Sequence, residues 1–285
     1  MSEFSKFADA FTPAEVAQKV KTLGVAKANM PVFPLLILSM MAGAFISFGA
    51  MYYTLVMTDP SSAYGASKLL GGVAFSLGFI LVVIAGGELF TGNNLIVMAW
   101  ANKRISLLCL LKNWGLVYLG NAIGALVTVY LVFVSGFLDG HHHAVGATAL
   151  KLGLAKVDLT TTEAFVRGIF CNALVCLGSW MVYASRTVVD KVFAVIFPIS
   201  AFVAMGFEHC IANIFMIPIA MAASFSPEIV AVSGISVDAM QNLTMTGFIA
   251  NLIPVTLGNI FGGTIMVGMS LYVVYLYGHN ASTHK

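Results

Sequence analysis

Long stretches without a charged side chain constrain this sequence more than any other feature. Residues 113–138 and 168–185 contain 26 and 18 residues with no Asp, Glu, Lys or Arg, and residues 239–284 contain none either. An apolar helix of about 18 or more residues is long enough to cross a bilayer. Only 9% of the chain is charged, whereas roughly 25% is usual in soluble domains. The sequence therefore predicts an all-α polytopic membrane protein.

Six apolar segments follow one another along the chain. They cover roughly residues 32–57, 69–100, 106–136, 168–186, 191–222 and 244–277. Because about 30 more polar residues precede the first segment, the N-terminus is not expected to be a cleavable signal peptide. We predict three parts: a cytoplasmic N-terminal amphipathic helix within residues 1–30, a six-helix transmembrane domain over 31–278, and a short cytoplasmic tail over 279–285.

The sequence TPAE at residues 12–15 is typical of a helix start. Thr12 is placed to act as the N-cap, Pro13 suits the first helical position, and Glu15 completes a capping box. The apolar side chains that follow fall on one helix face: Val16, Val20 and Leu23. These features predict a short amphipathic helix that lies on the membrane surface or contacts another protomer.

Lys and Arg residues are divided unevenly between the connections. If both termini are cytoplasmic, ten lie on that side: Lys6, Lys19, Lys21, Lys27, Lys103, Arg104, Lys112, Arg186, Lys191 and Lys285. Four lie on the other side: Lys68, Lys151, Lys156 and Arg167. Because positive charge concentrates in cytoplasmic connections, this distribution favours cytoplasmic termini and an even number of spans.

Residues that could carry catalysis or bind a metal are sparse. All four cysteines lie in apolar segments, and we interpret them as small buried side chains rather than disulfides or zinc ligands: Cys109, Cys171, Cys176 and Cys210. The three histidines at 141–143 have no second ligand cluster, so a solvated loop is expected there. No nucleophile–base set or phosphate loop is evident, and a net charge of +2 gives no argument for nucleic acid. We expect no enzyme activity, no cofactor and no metal.

Two pairs of matching patterns indicate an internal repeat. Glu88-x4-Asn93 recurs as Glu208-x4-Asn213, 120 residues later. The pattern Asn-x5-Leu-Gly-Asn-x2-Gly begins at residue 113 and again at 251, 138 residues later. The first pair falls in the second and fifth segments, and the second pair in the third and sixth. Because each copy has three spans, the second copy must enter the membrane from the opposite side, as in inverted-repeat channels and transporters.

Glycines and polar residues interrupt the second and fifth segments. Irregular backbone at membrane depth is tolerated only where it is buried in protein or lines a water-filled cavity. Both segments are therefore predicted to be broken helices. Glu88 and Glu208 hold equivalent positions, and we interpret them, with Asn93 and Asn213, as a scaffold that bonds freed backbone N–H groups. Direct handling of a solute by the two glutamates is the alternative.

The repeated Leu-Gly-Asn motifs are predicted to bring helices close together. Small residues four apart allow close helix packing, and two such pairs occur: Gly120 with Gly124 and Gly258 with Gly262. Asn121 and Asn259 are then placed to hydrogen-bond across the helix interfaces.

His209 departs from the repeat, because its counterpart is Leu89. A residue that only one copy of the repeat contains is not expected to belong to the shared scaffold, so His209 is expected to have a role of its own. Histidine titrates near neutral pH, so His209 could hydrogen-bond an entering anion or lend it a proton. The alternative is a neutral histidine whose hydrogen bonds are satisfied by a neighbouring helix.

Several of these motifs resemble the signatures of the formate/nitrite transporter family, and most closely its formate channels. They are ELFTGNN, GFEHCIAN, KNW at 112–114 and NLIPVTLGNIFGG at 251–263. The resemblance covers essentially the whole chain. It implies an aquaporin-like fold with the second and fifth helices broken, and a homopentamer with one pore per protomer. It also implies passage of small monovalent anions, or their acids, across the bacterial inner membrane.

The resemblance also implies roles for individual residues. The central histidine matches His209, with Thr91 as its partner, while Asn172 matches a pore asparagine and Lys156 an anion-attracting lysine of the outer vestibule. The matching hydrophobic constrictions are Leu89, Phe90 and Val175 on the cytoplasmic side, and Phe75 and Phe202 on the outer side. Phe79 stands where formate channels have leucine in the outer constriction, so the width of that constriction is left open.

The function expected from these features is passive conduction of formate. A bare carboxylate in an apolar constriction carries a large desolvation cost, which hydrogen bonds or transient protonation by His209 would reduce. Two alternatives are a proton-coupled formate symporter and a nitrite or hydrosulfide channel of the same family. A neutral-solute pore is less favoured, because the Asn-Pro-Ala signature of aquaporins is absent.

Overall fold

The computed structural model describes residues 9–58 and 63–278, and within them every regular element is a helix. The helices are α1 (Pro13–Ala28), α2 (Val32–Val56), α3 (Tyr64–Ala85), α4 (Phe90–Asn93), α5 (Val97–Ala101), α6 (Leu107–Val134), α7 (Ala144–Val157), α8 (Thr161–Ala184), α9 (Val188–Ala204), α10 (Cys210–Ala223), α11 (Pro227–Ser233), α12 (Met245–Phe261) and α13 (Ser270–Tyr275). A π-helix, Gly262–Met269, joins α12 to α13. The predicted tail at 279–285 lies outside the described residues.

Five helical stretches are long and apolar enough to cross a membrane: Val32–Val56, Tyr64–Ala85, Leu107–Val134, Thr161–Ala184 and Met245–Tyr275. A sixth is added if the bent pair Cys210–Ala223 and Pro227–Ser233, with 105° between its helices, counts as one span. The fifth apolar segment of the sequence corresponds to α9 and α10, and α9 has only 17 residues. The all-α, multi-pass membrane architecture expected from the sequence is therefore confirmed.

The N-terminal helix begins as its sequence predicts. The Thr12 hydroxyl accepts the Glu15 N–H, and the Glu15 carboxylate accepts the Thr12 N–H at 2.8 Å. Val16 and Val20 are fully buried against residues of α5 and α8, which include Met98. The apolar face thus packs α1 onto the helical body, and this directs Lys27, at the end of α1, towards the interior.

The two predicted breaks are present at matching places. Helix α3 ends before Gly86 and the chain resumes at α4, while α9 ends shortly before Gly206 and the chain resumes at α10. Gly86 has φ +75° and Gly206 has φ +72°, in the left-handed region that residues with a Cβ rarely adopt. These two glycines let the chain turn out of one helix and start the next inside the protein.

Replacing Gly86 or Gly206 with alanine is expected to destabilise the fold by about 1–2 kcal/mol, the cost of a left-handed conformation for a residue with a Cβ. No atom lies within 4 Å of a Cβ at either position, so the backbone conformation alone supplies this cost. Gly115→Ala, in the interior of α6 with equally open space, is the matched control and should be neutral or stabilising. Thermal unfolding of the purified variants measures the difference, and equal midpoints for all three would contradict it.

The small-residue pairs bring helices together as predicted. A Cβ at Gly124 would collide with the carbonyl oxygen of Met40 on α2, and one at Gly258 would collide with that of Phe165 on α8. Helix α6 is thereby held against α2, and α12 against α8. Among the described residues the cysteines are free thiols, and no group of His, Cys, Asp and Glu side chains is arranged to hold a metal. The histidines at 141–143 lie in the connection before α7.

Candidate functional site

A buried cluster surrounds Glu88 at the first break, and we call it the Glu88 cluster: Lys27, Glu88, Asn93 and Asn113. The Glu88 carboxylate accepts hydrogen bonds from the Lys27 ammonium at 2.6 Å and from the Asn93 side-chain amide at 2.7 Å. Asn113 accepts from Asn93 at 3.1 Å and donates to the Lys27 carbonyl at 3.0 Å. The cluster therefore ties the end of α1 to the break and to α6.

A second cluster surrounds Glu208 and matches the first residue for residue; we call it the Glu208 cluster: Lys156, Glu208, Asn213 and Asn251. Glu208 accepts from the Lys156 ammonium at 3.0 Å and from the Asn213 amide at 2.7 Å. Asn251 accepts from Asn213 at 2.8 Å and donates to the Lys156 carbonyl at 2.8 Å. The glutamate and first asparagine of each cluster come from one repeated sequence pattern, and Asn113 and Asn251 begin the other.

The two glutamates do not bond the freed backbone N–H groups, so that part of the sequence interpretation is wrong. Asn121 accepts the Phe90 N–H at 2.9 Å and donates to the Glu88 carbonyl at 2.8 Å. Asn259 accepts the Cys210 N–H at 2.9 Å and donates to the Glu208 carbonyl at 2.9 Å. An amide side chain donates and accepts at once, so it can bond both sides of a break, whereas a carboxylate only accepts.

His209 and Thr91 form the contact between the two breaks. The Nε2 atom of His209 lies 3.0 Å from the Thr91 hydroxyl, and both residues are buried. His209 is the N-cap of α10, where its Nδ1 accepts the Ala212 N–H at 3.2 Å. A nitrogen that accepts a hydrogen bond carries no proton, so this network assigns the neutral tautomer with hydrogen on Nε2. His209 therefore donates to the Thr91 oxygen, and the Thr91 hydroxyl hydrogen is left to donate elsewhere.

Aromatic rings pack against one side of His209. The Phe202 ring stacks on the imidazole with 5.9 Å between centroids, and Phe75 meets Phe202 edge-on at 5.8 Å. All three side chains line a cavity of about 460 Å³ that also contains Lys156, Glu208 and Arg167, and we call it the Lys156 cavity. His209 thus lies at the inner end of an otherwise aromatic wall.

A second cavity of about 310 Å³ contains Lys27 and Glu88, and we call it the Lys27 cavity. It is lined by Leu89, the counterpart of His209, and by Gly92. Because His209 lines the Lys156 cavity and Thr91 lies in the chain between Leu89 and Gly92, the Thr91–His209 hydrogen bond links the walls of the two cavities.

Phe79 lines the Lys27 cavity, whereas Phe75 lines the Lys156 cavity, so the structure does not group Phe79 with Phe75 and Phe202 of the outer constriction. The two residues are four positions apart on α3, and one helical turn rises about 5.4 Å. Phe79 therefore shares the inward face of α3 with Phe75 but lies one turn closer to the break at Gly86.

Three further residues implied by the resemblance face neither cavity. Phe90 packs edge-on against Tyr118 at 4.9 Å between centroids, and Val175 is buried within the helical body. Asn172 uses its side-chain amide to donate to the Asn94 side chain at 2.7 Å and to the Asn259 carbonyl at 2.6 Å. The structure thus places Asn172 with the residues that support the breaks.

Sequence reasoning assigned neither Lys27 nor Asn113 and Asn251 to a site, although both asparagines begin the repeated pattern. Lys27 is the one of the three that no pattern marks. It belongs to the amphipathic helix, where a lysine near the C-terminal end is usual and carries no signal of its own. Its position just before the first apolar segment was a usable signal, because a carboxylate within an apolar segment, such as Glu88, needs a partner.

The family model described as formate/nitrite transporter matches residues 14–273. The chain belongs to the formate/nitrite transporter family. Among members of the family, the formate channel FocA of Escherichia coli (strain K12) is 42% identical over 272 residues, which are 94% of this chain and 95% of the relative. A probable formate transporter of Methanothermobacter thermautotrophicus is 34% identical over 282 residues, 93% and 97% of the two chains.

A solved structure of the formate/nitrite transporter family has the same fold. It is described as a pentameric formate channel with formate bound, is 39% identical, and superposes with a TM-score of 0.77. The match covers 86% of this chain and 98% of that one. These relatives are named as channels or transporters and not as enzymes, so the buried polar clusters are parts of a transport protein.

Proposed function

We propose that this protein is a passive channel that conducts formate across the bacterial inner membrane. The observation that carries the proposal is the Thr91–His209 pair: His209 lines the Lys156 cavity, and Leu89 and Gly92, on either side of Thr91 in the chain, line the Lys27 cavity. A small anion that passed from one cavity to the other would meet a hydroxyl and an imidazole between apolar walls formed by Leu89 and Phe202.

The architecture that we propose has six spans in two inverted repeats, as in aquaporins. The matching Glu88 and Glu208 clusters support the repeat, because each links a broken helix to the same kind of partner. With both termini cytoplasmic, the Lys27 cavity faces the cytoplasm and the Lys156 cavity faces the outside. The similarity to a pentameric formate channel supports a homopentamer with one pore in each protomer.

The hydrogen-bond geometry favours binding over protonation in the proposed mechanism. His209 holds its Nε2 hydrogen on the Thr91 oxygen, which turns the Thr91 hydroxyl hydrogen towards a passing carboxylate. If neutral His209 gave its Nε2 hydrogen to formate, an imidazolate would remain. If His209 first became an imidazolium, Nδ1 would lose its bond from the Ala212 N–H. Transient protonation is therefore the second candidate, and it requires the cap of α10 to open.

Formate flux into proteoliposomes tests the function directly. We expect formate flux through the wild-type protein to rise without saturation up to low millimolar concentration. A proton gradient should not drive formate uptake. Nitrite and hydrosulfide, measured in the same vesicles, decide the substrate preference within the family. Saturable uptake that follows the proton gradient would instead support a proton-coupled symporter.

The two roles of His209 differ in their pH dependence. In the hydrogen-bond role, His209→Phe lowers formate flux by a similar factor throughout pH 5 to 8, roughly the range that spans histidine titration. In the protonation role, the same substitution flattens the dependence of flux on pH. Measured flux of wild type and variant across this range therefore decides between them, and a flattened profile would contradict the mechanism favoured above.

A further inference from the structure

The Lys27 cavity contains more positive than negative charge. Three lysines line it, namely Lys19, Lys27 and Lys191, and its one lining carboxylate is Glu88. The Lys27 ammonium lies 2.6 Å from that carboxylate, so these two charges offset each other. Among the described residues, neither Lys19 nor Lys191 makes a salt bridge. The cavity therefore has two positive charges that the protein does not balance from within.

These two lysines reach the cavity from different helices and lie close enough to repel each other. Lys19, on α1, donates to the Tyr183 carbonyl at 3.1 Å and lies 4.4 Å above the Phe11 ring. Burial lowers the pKa of Lys19, and the positive charges of Lys191 and Arg186 lower it further. An anion bound between the two ammonium groups would remove this repulsion.

The size and lining of the cavity set the kind of anion that fits. Its volume of about 310 Å³ exceeds that of a small ion, and at roughly 30 Å³ for each water it leaves room for a hydration shell. Asn93, Ser179 and Tyr183 add polar groups to the wall, while Leu89 closes the end nearest Thr91. A small hydrated anion fits these features better than a bulky one, and the positive charge that it would meet comes from the two lysines that have no acidic partner among the described residues lining the cavity.

We propose that Lys19 and Lys191 form a second anion-binding site, which holds a small monovalent anion such as formate on the Lys27 side of the Thr91–His209 pair. The part that this site plays in conduction rests on the proposed function. Lys27 belongs to the scaffold, because Glu88 neutralises it, and the recruiting charge is supplied by the two lysines farther from the break.

The first test is unidirectional formate flux in proteoliposomes that contain protein of known orientation. Lys19→Gln and Lys191→Gln should each raise, by roughly fivefold, the formate concentration that gives half-maximal entry from the Lys27 side, the effect of removing one nearby unit charge. Maximal flux from the Lys27 side should not change, and the effect should shrink at high salt. Because a passive channel has equal permeability in both directions at low concentration, entry from the Lys156 side at low formate concentration should fall by the same factor. Lys21→Gln is the matched control, because Lys21 lies on the same helix outside the cavity lining.

The second test does not depend on transport. Crystals of wild-type protein soaked in bromide should show an anomalous signal between the Lys19 and Lys191 ammonium groups, and crystals of the doubly substituted protein should lose it. Bromide bound equally in both proteins, or unchanged half-maximal concentrations in both single variants, would overturn the second site. If wild-type protein passes no formate, the proposed function fails, and the bromide signal alone decides the site.

Discussion

Replacement of Glu208 with glutamine is expected to lower the free energy of unfolding by roughly 3–5 kcal/mol, the usual cost of removing one partner of a buried ion pair. The Lys156 side chain is only 13% exposed and Glu208 only 5%, so the ammonium left behind has little access to water. Glutamine keeps an oxygen that can accept from the Asn213 amide. The loss of unfolding free energy therefore measures the cost of the unpaired Lys156 charge. Thermal or denaturant unfolding of the purified protein measures the change.

The double variant Lys156→Met with Glu208→Gln separates charge from shape. Because it removes both charges together, it should recover most of the stability lost in the single variant. Arg167→Gln is the surface control: Arg167 and Glu163 form an ion pair at 3.6 Å with side chains that are 40% and 48% exposed. Breaking an exposed pair costs about 0–1 kcal/mol. A double variant as unstable as Glu208→Gln would show that the pair itself, and not the uncompensated charge, is required.

The helical breaks could be predicted because their causes are local. Gly86 and Gly206 stand in apolar runs two residues before a glutamate, and both residue types disfavour an uninterrupted membrane helix. The capping box at Thr12 and Glu15 is equally local, since its residues bond each other within one turn. Elements of this kind are encoded in a few adjacent side chains, and the structure confirms them.

The partners of the glutamates could not be predicted in the same way. Lys27 is 61 residues from Glu88, and Lys156 is 52 residues from Glu208. Such pairs are brought together by helix packing, and periodicity within one segment carries no information about them. The sequence did indicate that each buried carboxylate needs a partner, but only the fold identifies a lysine at the end of α1 and another at the end of α7.

Which of the two cavities a residue lines could not be predicted from the sequence either. Phe75 and Phe79 share a helix face, so their pattern predicts that both point inwards. Which of the two cavities each ring lines depends on the neighbouring segments, and the Thr91–His209 contact, for example, joins residues of different segments. The assignments that the cavity linings do not support, for Phe79, Phe90, Val175 and Asn172, all concern this kind of long-range placement.

The residue that follows each of the two matched glutamates differs between the two breaks. Leu89 and His209 are the N-caps of α4 and α10, but only His209 has a side chain that can accept a backbone N–H there. The cap bond fixes the imidazole orientation, and this directs Nε2 at Thr91 of the other break. A histidine at one of the two matching positions thus produces a polar contact between the two breaks.

Replacement of Thr91 with valine is expected to lower formate flux roughly 10- to 100-fold, because a hydrogen bond to a charged group contributes about 1.5–3 kcal/mol. Valine keeps the branched shape of threonine and removes the hydroxyl that is turned towards the passing anion. Flux should fall by a similar factor at each pH, since the hydroxyl does not titrate in this range. Proteoliposome flux of wild type and variant, normalised to the amount of folded protein, provides the measurement.

The matched control for this prediction is Thr128→Val, and the complementary variant is His209→Asn. Thr128 is also buried, but its hydroxyl donates to the Gly124 carbonyl within α6 and faces neither cavity, so flux should be unchanged. Asparagine at position 209 can still cap α10, but it carries no imidazole, so it should fold normally and conduct less. Wild-type flux in Thr91→Val would exclude the hydroxyl as the group that stabilises the anion. Full loss of folded protein in His209→Asn would show that the imidazole supports the break through more than its cap bond.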